Sequence, residues 1–239
     1  MPNMDSFSPI AVLPDTSLCA IVRDEIINPA DGIRDFIEST VPFVEEAVVV
    51  DTGSVDGTRQ ELEKLQAAHR NLRVLDLGFK GYASARNYSL SQARTGYILI
   101  LDADERLISE DFSRIQEEMN PESLSHRFKF RNVFINPKQD YTSVGGFNDR
   151  LFKNLPEMHF QGKCWEGLYF REEPLSGLQV TNLSVEIKHF KASPLAQEQK
   201  MNQWYNGVMQ SGKQTETSPS HVKGFADWKR YNPRRENYR

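Results

Sequence analysis

The segment Tyr97-Ile98-Leu99-Ile100-Leu101-Asp102-Ala103-Asp104-Glu105 decides the fold class. An apolar run with the length of one buried strand ends abruptly in three carboxylates, of which Asp102 and Asp104 are two positions apart. Side chains at this spacing on an extended chain point to the same side, so the two carboxylates are predicted to share a face. Carboxylates this close repel each other unless a cation lies between them, and a hard divalent cation prefers oxygen ligands. Ligands of open α/β sheets bind outside the carboxyl ends of the strands, where this cluster is predicted to lie.

Short apolar runs alternate with segments of helical periodicity upstream of these carboxylates. The predicted strands are 17–22, 47–50 and 72–77, and the predicted helices are 31–41, 58–69 and 84–93. Such alternation predicts a mostly parallel sheet with helices on both faces.

The second half of the chain has a different pattern. Apolar and basic residues alternate over 127–134, as on a half-exposed strand. Gly145-Gly146 and Pro156 predict a loop-rich middle, and a further strand is predicted at 183–190. A helix is predicted at 194–210.

Composition and charge restrict the class of protein. The chain has 239 residues, of which 38% are hydrophobic and 26% are charged, as is ordinary for a globular protein. A net charge of −4 argues against a general nucleic-acid binder. We find no signal-peptide pattern and no apolar run near the roughly 20 residues of a membrane-spanning helix. Two cysteines without metal-type spacing, Cys19 and Cys164, fit a reducing cytoplasm, which is the predicted location.

We predict one domain over residues 1–210, with a nucleotide-binding half at about 15–120 and an acceptor half at about 121–210. Residues 211–239 follow no apolar period and carry seven Lys or Arg against three Asp or Glu. This basic tail is a candidate for peripheral contact with anionic lipid at the inner face of the membrane.

Polar residues at the ends of the predicted strands indicate one ligand site. Glu25 follows the first strand, Asp51 closes the second, and Arg86 lies in the helix before Asp102 and Asp104. Carboxylates can hold a base and a ribose, a metal can neutralise a diphosphate, and an arginine can bind negative charge. Because the chain lacks a Gly-rich phosphate-binding loop, the metal would neutralise most of the phosphate charge. The constellation predicts a nucleoside-diphosphate site.

Four stretches occur in this order: Leu18-Cys19-Ala20-Ile21-Val22-Arg23-Asp24-Glu25, Val48-Val49-Val50-Asp51-Thr52-Gly53-Ser54-Val55-Asp56-Gly57-Thr58, Ala85-Arg86-Asn87 and Ile98-Leu99-Ile100-Leu101-Asp102-Ala103-Asp104-Glu105. Together they resemble the motifs of family 2 glycosyltransferases, in the branch of bacterial lipopolysaccharide-core transferases and peptide S-glycosyltransferases. The resemblance implies a GT-A-type, Rossmann-like α/β sandwich whose central mixed, mostly parallel sheet has helices on both faces.

The resemblance also implies an activity and a set of site residues. The activity is a metal-dependent, inverting transfer from a nucleoside-diphosphate sugar, UDP-linked in our prediction, to a glycan, glycolipid or peptide acceptor. The implied cofactor is Mg²⁺ or Mn²⁺, held by Asp102, Asp104 and His189. The implied donor-binding residues are Val22, Asp24, Glu25, Asp51, Gly53, Arg86, Asp102, Ala103 and Trp165.

Further similarity lies at Arg150-Leu151-Phe152, Phe160-Gln161-Gly162, Trp165-Glu166 and Ile187-Lys188-His189. Glu166 follows a Gly-containing turn beside an aromatic residue, and the resemblance implies that it is the catalytic base that deprotonates the acceptor. Asp104 is the second residue that we assign to catalysis. Asp149 is the second candidate base. Trp165 can stack on a sugar, and it stands where this branch often has His, a departure that leaves the acceptor open.

Two other functions remain open from the sequence. A nucleotidyltransferase would have a Gly-rich, basic signature after the first strand, but Arg23-Asp24-Glu25 is too acidic for that role. A non-catalytic nucleotide-sugar-binding module would bind a donor without releasing its nucleotide.

Overall fold

The computed structural model describes residues 13–134, 141–162, 166–175 and 178–191. Its helices are α1 (Gly32–Thr40), α2 (Thr58–Ala68), α3 (Tyr82–Gln92) and α4 (Ser109–Glu118), and a short 3-10 turn spans Val41–Phe43. The strands are β1 (Leu13–Val22), β2 (Val44–Asp51), β3 (Leu72–Asp76), β4 (Tyr97–Ile100), β5 (Glu105–Arg106), β6 (Ser125–Phe134), β7 (Tyr141–Lys153), β8 (Met158–Gln161), β9 (Gly167–Phe170), β10 (Glu173–Pro174) and β11 (Val180–Lys191). All the elements predicted upstream of the carboxylate cluster are confirmed, with ends that differ by a few residues.

An eight-stranded sheet in the order β3-β2-β1-β4-β7-β6-β11-β5 forms the centre of the fold. Strands β3, β2, β1 and β4 run parallel, whereas β7 is antiparallel to its neighbours β4 and β6. Strand β11 is parallel to β6, and β5 is antiparallel to β11 at the edge. Because β1, β2 and β4 are parallel, their carboxyl ends lie along one edge of the sheet. That edge carries the acidic residues singled out in the sequence.

Helices cover both faces of the sheet and form a hydrophobic core with each face. Successive residues of one strand point into different cores. Val49 and Leu99 pack with α1, α2 and α4, whereas Val48 and Ile98 pack with α3. The three-stranded sheet β10-β9-β8 adds Phe160 to the second core. Both predicted features, a mixed and mostly parallel sheet and helices on its two faces, are present.

The prediction of a loop-rich stretch around Gly145-Gly146 is wrong, because both glycines lie within the long strand β7. A Cβ on Gly145 would come within 2.9 Å of the Cβ of Phe130 on β6. Glycine is therefore required there for close approach of two strands and not for a turn. The strand predictions at 127–134 and 183–190 are confirmed by β6 and β11.

Two predictions fall outside the described residues, namely the helix at 194–210 and the basic tail at 211–239. Among the described residues, no helix has both the length and the apolar character that a membrane span needs. Cys19 is fully buried in β1, and burial raises the pKa of its thiol to about 12.

Candidate active site

Asp51 closes β2 and is only 2% exposed. Its Oδ1 accepts hydrogen bonds from the backbone N–H groups of Gly53 and Ser54, each at 2.7 Å, and Gly53 supports this turn with φ 106°. The turn is joined to the end of β1, since the N–H and hydroxyl of Thr52 both donate to the carbonyl of Val22 at 3.0 Å. Within the described residues, the buried Oδ2 of Asp51 has no hydrogen-bond partner. A buried acceptor without a donor is costly, so this oxygen is suited to accept an N–H from a ligand.

The loop after β1 is bonded to the loop after β2. Asp24 Oδ1 accepts the N–H of Val55 at 2.7 Å, and the N–H of Glu25 donates to Thr58 Oγ1 at 2.7 Å. The structure therefore brings Asp24 and Glu25 beside the Asp51 turn, at the edge where the sequence predicted a nucleoside site.

Arg86 on α3 forms the buried centre of a charged network. It is 5% exposed, its Nε donates to Glu166 Oε1 at 2.7 Å, and its Nη2 donates to Asp102 Oδ1 at 2.7 Å. Burial alone would lower the pKa of Arg86, but the two carboxylates outweigh burial and raise it, so the guanidinium stays charged. We predicted that Arg86 binds phosphate. Nη1 is the guanidinium nitrogen left for that role, because it has no partner within the described residues.

A second arginine, Arg150 on β7, engages the same carboxylate from another side. Its Nη2 donates to Asp102 Oδ2 at 3.4 Å and to Oε1 of the fully buried Glu105. Burial raises the pKa of Glu105 to about 7 against the opposing charge of Arg150. Burial would also raise the pKa of Asp102, but Arg86 and Arg150 hold it well below its usual range. The pKa of Asp102 is thus lower in the folded state than in the unfolded state. Its ion pairs therefore stabilise the fold at neutral pH, and this stabilisation is lost as the pH falls through the folded-state pKa.

Asp104 and His189 form the pair best suited to a metal ion. Asp104 Oδ2 lies 3.4 Å from His189 Nε2, and the side chains are 33% and 22% exposed. Two atoms bound to one ion at about 2.1 Å lie roughly 3.0–3.4 Å apart, so this separation fits two ligands of one cation. Carboxylate and imidazole are common metal ligands, and diphosphate oxygens or waters would complete the shell. The Asp104 carboxylate fits Mg²⁺ or Mn²⁺, and the His189 imidazole fits Mn²⁺ better than Mg²⁺.

The structure separates Asp102 from Asp104 and His189, the other two metal ligands that the sequence predicted. Asp102 turns both carboxylate oxygens toward arginines, whereas Asp104 faces His189. The two aspartates lie in a turn after β4 rather than on an extended strand, which is why they face different partners. Among the described residues, no three His, Cys, Asp or Glu side chains are grouped as a complete metal site.

Glu166 is the candidate base that touches this network. Asp149 instead accepts hydrogen bonds from Ser125 at 2.8 Å and from Arg127 at 3.1 Å, so its carboxylate is engaged elsewhere. Trp165, the predicted sugar-stacking residue, lies outside the described residues.

The sequence model that describes glycosyl transferase family 2 matches residues 21–167, which are more than half of the chain. The chain belongs to glycosyl transferase family 2. The matched region contains the Asp51 turn, Arg86, both aspartates of the Asp-x-Asp motif, Arg150 and Glu166. His189 lies beyond it.

Individual relatives are similar over part of their length. A TPR repeat-containing protein of Synechococcus elongatus is 31% identical over 153 residues, which cover 63% of this chain and 34% of that protein. TuaG of Bacillus subtilis, named as a teichuronic acid biosynthesis glycosyltransferase, is 32% identical over 111 residues, which cover 43% of this chain and 44% of that protein. The chain thus spans less than half the length of these relatives.

The crystal structure of S. aureus TarS aligns with 86% of this family 2 chain and 41% of TarS, with a TM-score of 0.51 and 16% identity. Such a likeness supports the fold alone. Together with the family match, it confirms the predicted GT-A-type α/β architecture.

Two residues of the charged network around Asp102, Glu105 and Arg150, had no role in the sequence-based prediction. Arg150 stood within a stretch of family similarity, but its sequence neighbours do not reveal that it contacts Asp102, which lies 48 positions away. A basic residue on a strand that pairs with the strand before Asp-x-Asp is the signal that identifies it.

Replacing Arg86 with methionine is expected to lower the free energy of unfolding by about 2–4 kcal/mol, because two carboxylates lose their buried counter-charge. The value is below that of a fully buried pair, since Asp102 is 34% exposed. Urea unfolding at pH 7 measures the loss. The matched variant Arg59→Met removes an arginine whose partner Asp76 is 66% exposed, and it should cost less than about 1 kcal/mol. Equal losses in the two variants would contradict a special role of the Arg86 network.

Proposed function

We propose that this family 2 protein is a metal-dependent, inverting glycosyltransferase that uses a nucleoside-diphosphate sugar, UDP-linked, and transfers the sugar to a glycan, glycolipid or peptide acceptor. The branch that we favour is the one with lipopolysaccharide-core and peptide S-glycosyltransferases. We place the reaction in the cytoplasm, with acceptor delivery at the inner face of the membrane as one route.

The observation that carries the proposal is the Asp104–His189 pair beside an excess of negative charge. Four carboxylates lie around two guanidinium groups here, which leaves an excess of about two negative charges when Glu105 is ionised and about one when it is protonated. The carboxylates belong to Asp102, Asp104, Glu105 and Glu166, and the guanidinium groups belong to Arg86 and Arg150. A divalent cation offsets that excess and can bind the diphosphate of a donor at the same time.

The donor nucleoside is proposed to lie at the Asp51 turn. The free Oδ2 of Asp51 would accept the imide N–H of a uracil ring, and the carboxylate of Glu25 on the neighbouring loop would contact the ribose. The glycines and the loop backbone allow a flat ring to approach closely. When bound, the metal ion stabilises the negative charge that develops on the diphosphate leaving group.

Glu166 is proposed to take the proton of the acceptor hydroxyl. Arg86 holds Oε1 of this carboxylate, and within the described residues no hydrogen bond engages Oε2, which is therefore available to the acceptor. The acceptor oxygen forms a bond to the anomeric carbon as the bond from that carbon to the phosphate oxygen breaks. The proton goes to Glu166 and the electron pair goes to the diphosphate.

A thermal-shift screen of UDP-, GDP- and CDP-sugars, each with and without Mn²⁺, tests the donor and metal assignments together. A ligand that binds the folded state raises the melting temperature, so we expect a UDP-sugar to raise it with Mn²⁺ and to raise it much less without. The absence of a shift with any nucleotide sugar would contradict the proposal.

A donor-hydrolysis assay separates this function from a non-catalytic binding module. A transferase is expected to release UDP slowly from its donor without acceptor, whereas a pure binder would release none. Membership of family 2 argues against the nucleotidyltransferase alternative.

A further inference from the structure

Asn28 joins the loop after β1 to the turn that carries the Asp-x-Asp motif. Its side-chain Nδ2 donates to the carbonyl oxygen of Ala103 at 3.0 Å and to Glu25 Oε2 at 3.1 Å. Its Oδ1 accepts the N–H groups of Ala30 at 2.8 Å and Gly32 at 2.9 Å. The amide thus uses both donor hydrogens and both acceptor positions within the protein.

Arg106 joins the same two segments from inside the protein, where it is 6% exposed. Its Nη1 donates to the carbonyl oxygens of Ala103 and Glu105, both at 2.8 Å, and its Nη2 donates to Gly32 at 3.2 Å and to Ala30. Its Nε forms a hydrogen bond to Asp35 on α1 at 2.7 Å. The planar guanidinium therefore fixes one segment relative to the other.

The loop after β1 has little freedom of its own. Gly32 has φ 83°, and a Cβ there would lie 2.6 Å from the carbonyl oxygen of Ile26. The N–H of Ile33 donates to the carbonyl of Glu25 at 2.8 Å and closes the loop. Asn28 and Arg106 thus join a constrained loop to the turn that carries the Asp-x-Asp motif.

We propose that Asn28 and Arg106 are positioning residues that hold the nucleoside-binding loop at a fixed distance from Asp104, so that the two ends of one donor are bound together. The inference rests on the proposed function, since Glu25 and Asp51 contact the nucleoside and Asp104 contacts the metal on the diphosphate. Because the spacing is fixed, the protein loses no further conformational entropy when the second end of the donor binds. Binding of metal and of nucleotide should therefore be coupled through these two side chains.

The test is the ratio of UDP dissociation constants without and with Mn²⁺, measured by titration calorimetry on the full chain. We expect Asn28→Ala and Arg106→Lys each to reduce this ratio about tenfold relative to the wild type. Arg106→Lys keeps the positive charge but removes the planar guanidinium group that donates to both segments. It therefore remains informative if Asn28→Ala folds poorly.

Asn71→Ala is the matched control. The Asn71 amide likewise donates two hydrogen bonds, in this case to the backbone carbonyls of Val41 at 2.9 Å and Val44 at 3.0 Å, but it lies at the opposite edge of the sheet. It should lower the melting temperature as Asn28→Ala does and leave the ratio unchanged, so a merely structural role is distinguishable.

A wild-type ratio well above one that survives in both Asn28→Ala and Arg106→Lys would overturn the inference and leave the proposed function intact. A wild-type protein that binds UDP equally well with and without Mn²⁺ would overturn the proposed function, and the coupling with it. A loss of the ratio in the two variants but not in Asn71→Ala would support the inference.

Discussion

The Asp104→Asn variant is expected to lose metal-dependent UDP binding and to lower kcat/KM by about a thousandfold or more, equivalent to roughly 4 kcal/mol of transition-state stabilisation. The amide keeps the size of the side chain but is a much weaker ligand for a hard cation than a carboxylate. The backbone should stay in place, because the carbonyl of Asp104 still accepts the N–H of Phe190 at 2.9 Å. Calorimetric titration of UDP with and without Mn²⁺, together with initial rates, measures both effects.

Asp76→Asn is the matched control for this variant. Asp76 also ends a parallel strand at the same edge of the sheet, but its 66% exposed carboxylate pairs with Arg59. We expect its effect on Mn²⁺-dependent binding to be within twofold of the wild type, since a surface pair contributes little. Full activity of Asp104→Asn would exclude this residue as a metal ligand.

Glu166→Gln is expected to lower kcat by about 10²–10⁴-fold while the affinity for the donor changes little. Glutamine can still accept the hydrogen bond from Arg86 through its amide oxygen, so the network should be kept, but it cannot take a proton. Steady-state kinetics with the acceptor give kcat, and calorimetry gives donor affinity.

Glu172→Gln supplies the comparison, as it makes the same chemical change at an exposed residue between β9 and β10. It should leave both kcat and donor affinity unchanged. If Glu166→Gln and Glu172→Gln behaved alike, the base would have to be another group. A Glu166→Gln variant with lost donor affinity would instead assign Glu166 to donor binding through Arg86.

Much of the fold was predictable because secondary structure follows local periodicity. The valine-rich run that ends at Asp51 forms β2, and Ile33, Phe36 and Ile37 form the buried face of α1 at helical spacing. The stretch at Gly145-Gly146 was not predictable, since the reason for glycine there is the nearness of Phe130, a residue on another strand. Local sequence does not report the distance between two strands.

The candidate site, like the fold, was predictable from the sequence only in part. The sequence alone placed Glu25, Asp51, Asp102 and Asp104 at one edge of the sheet, because each follows an apolar run that must be a buried strand and parallel strands end together. Only the tertiary structure decided the partners of those carboxylates.

Strand order brings Arg150 of β7 to Asp102, and helix packing brings Arg86 between Asp102 and Glu166, 80 positions along the chain. Ion pairs of this kind depend on distances of a few ångströms, which arise from how strands and helices pack and not from the spacing of residues in the chain. The amino-acid sequence therefore determined where the charged residues lie in the fold. Packing determined that Asp102 is neutralised by arginines while Asp104 faces His189.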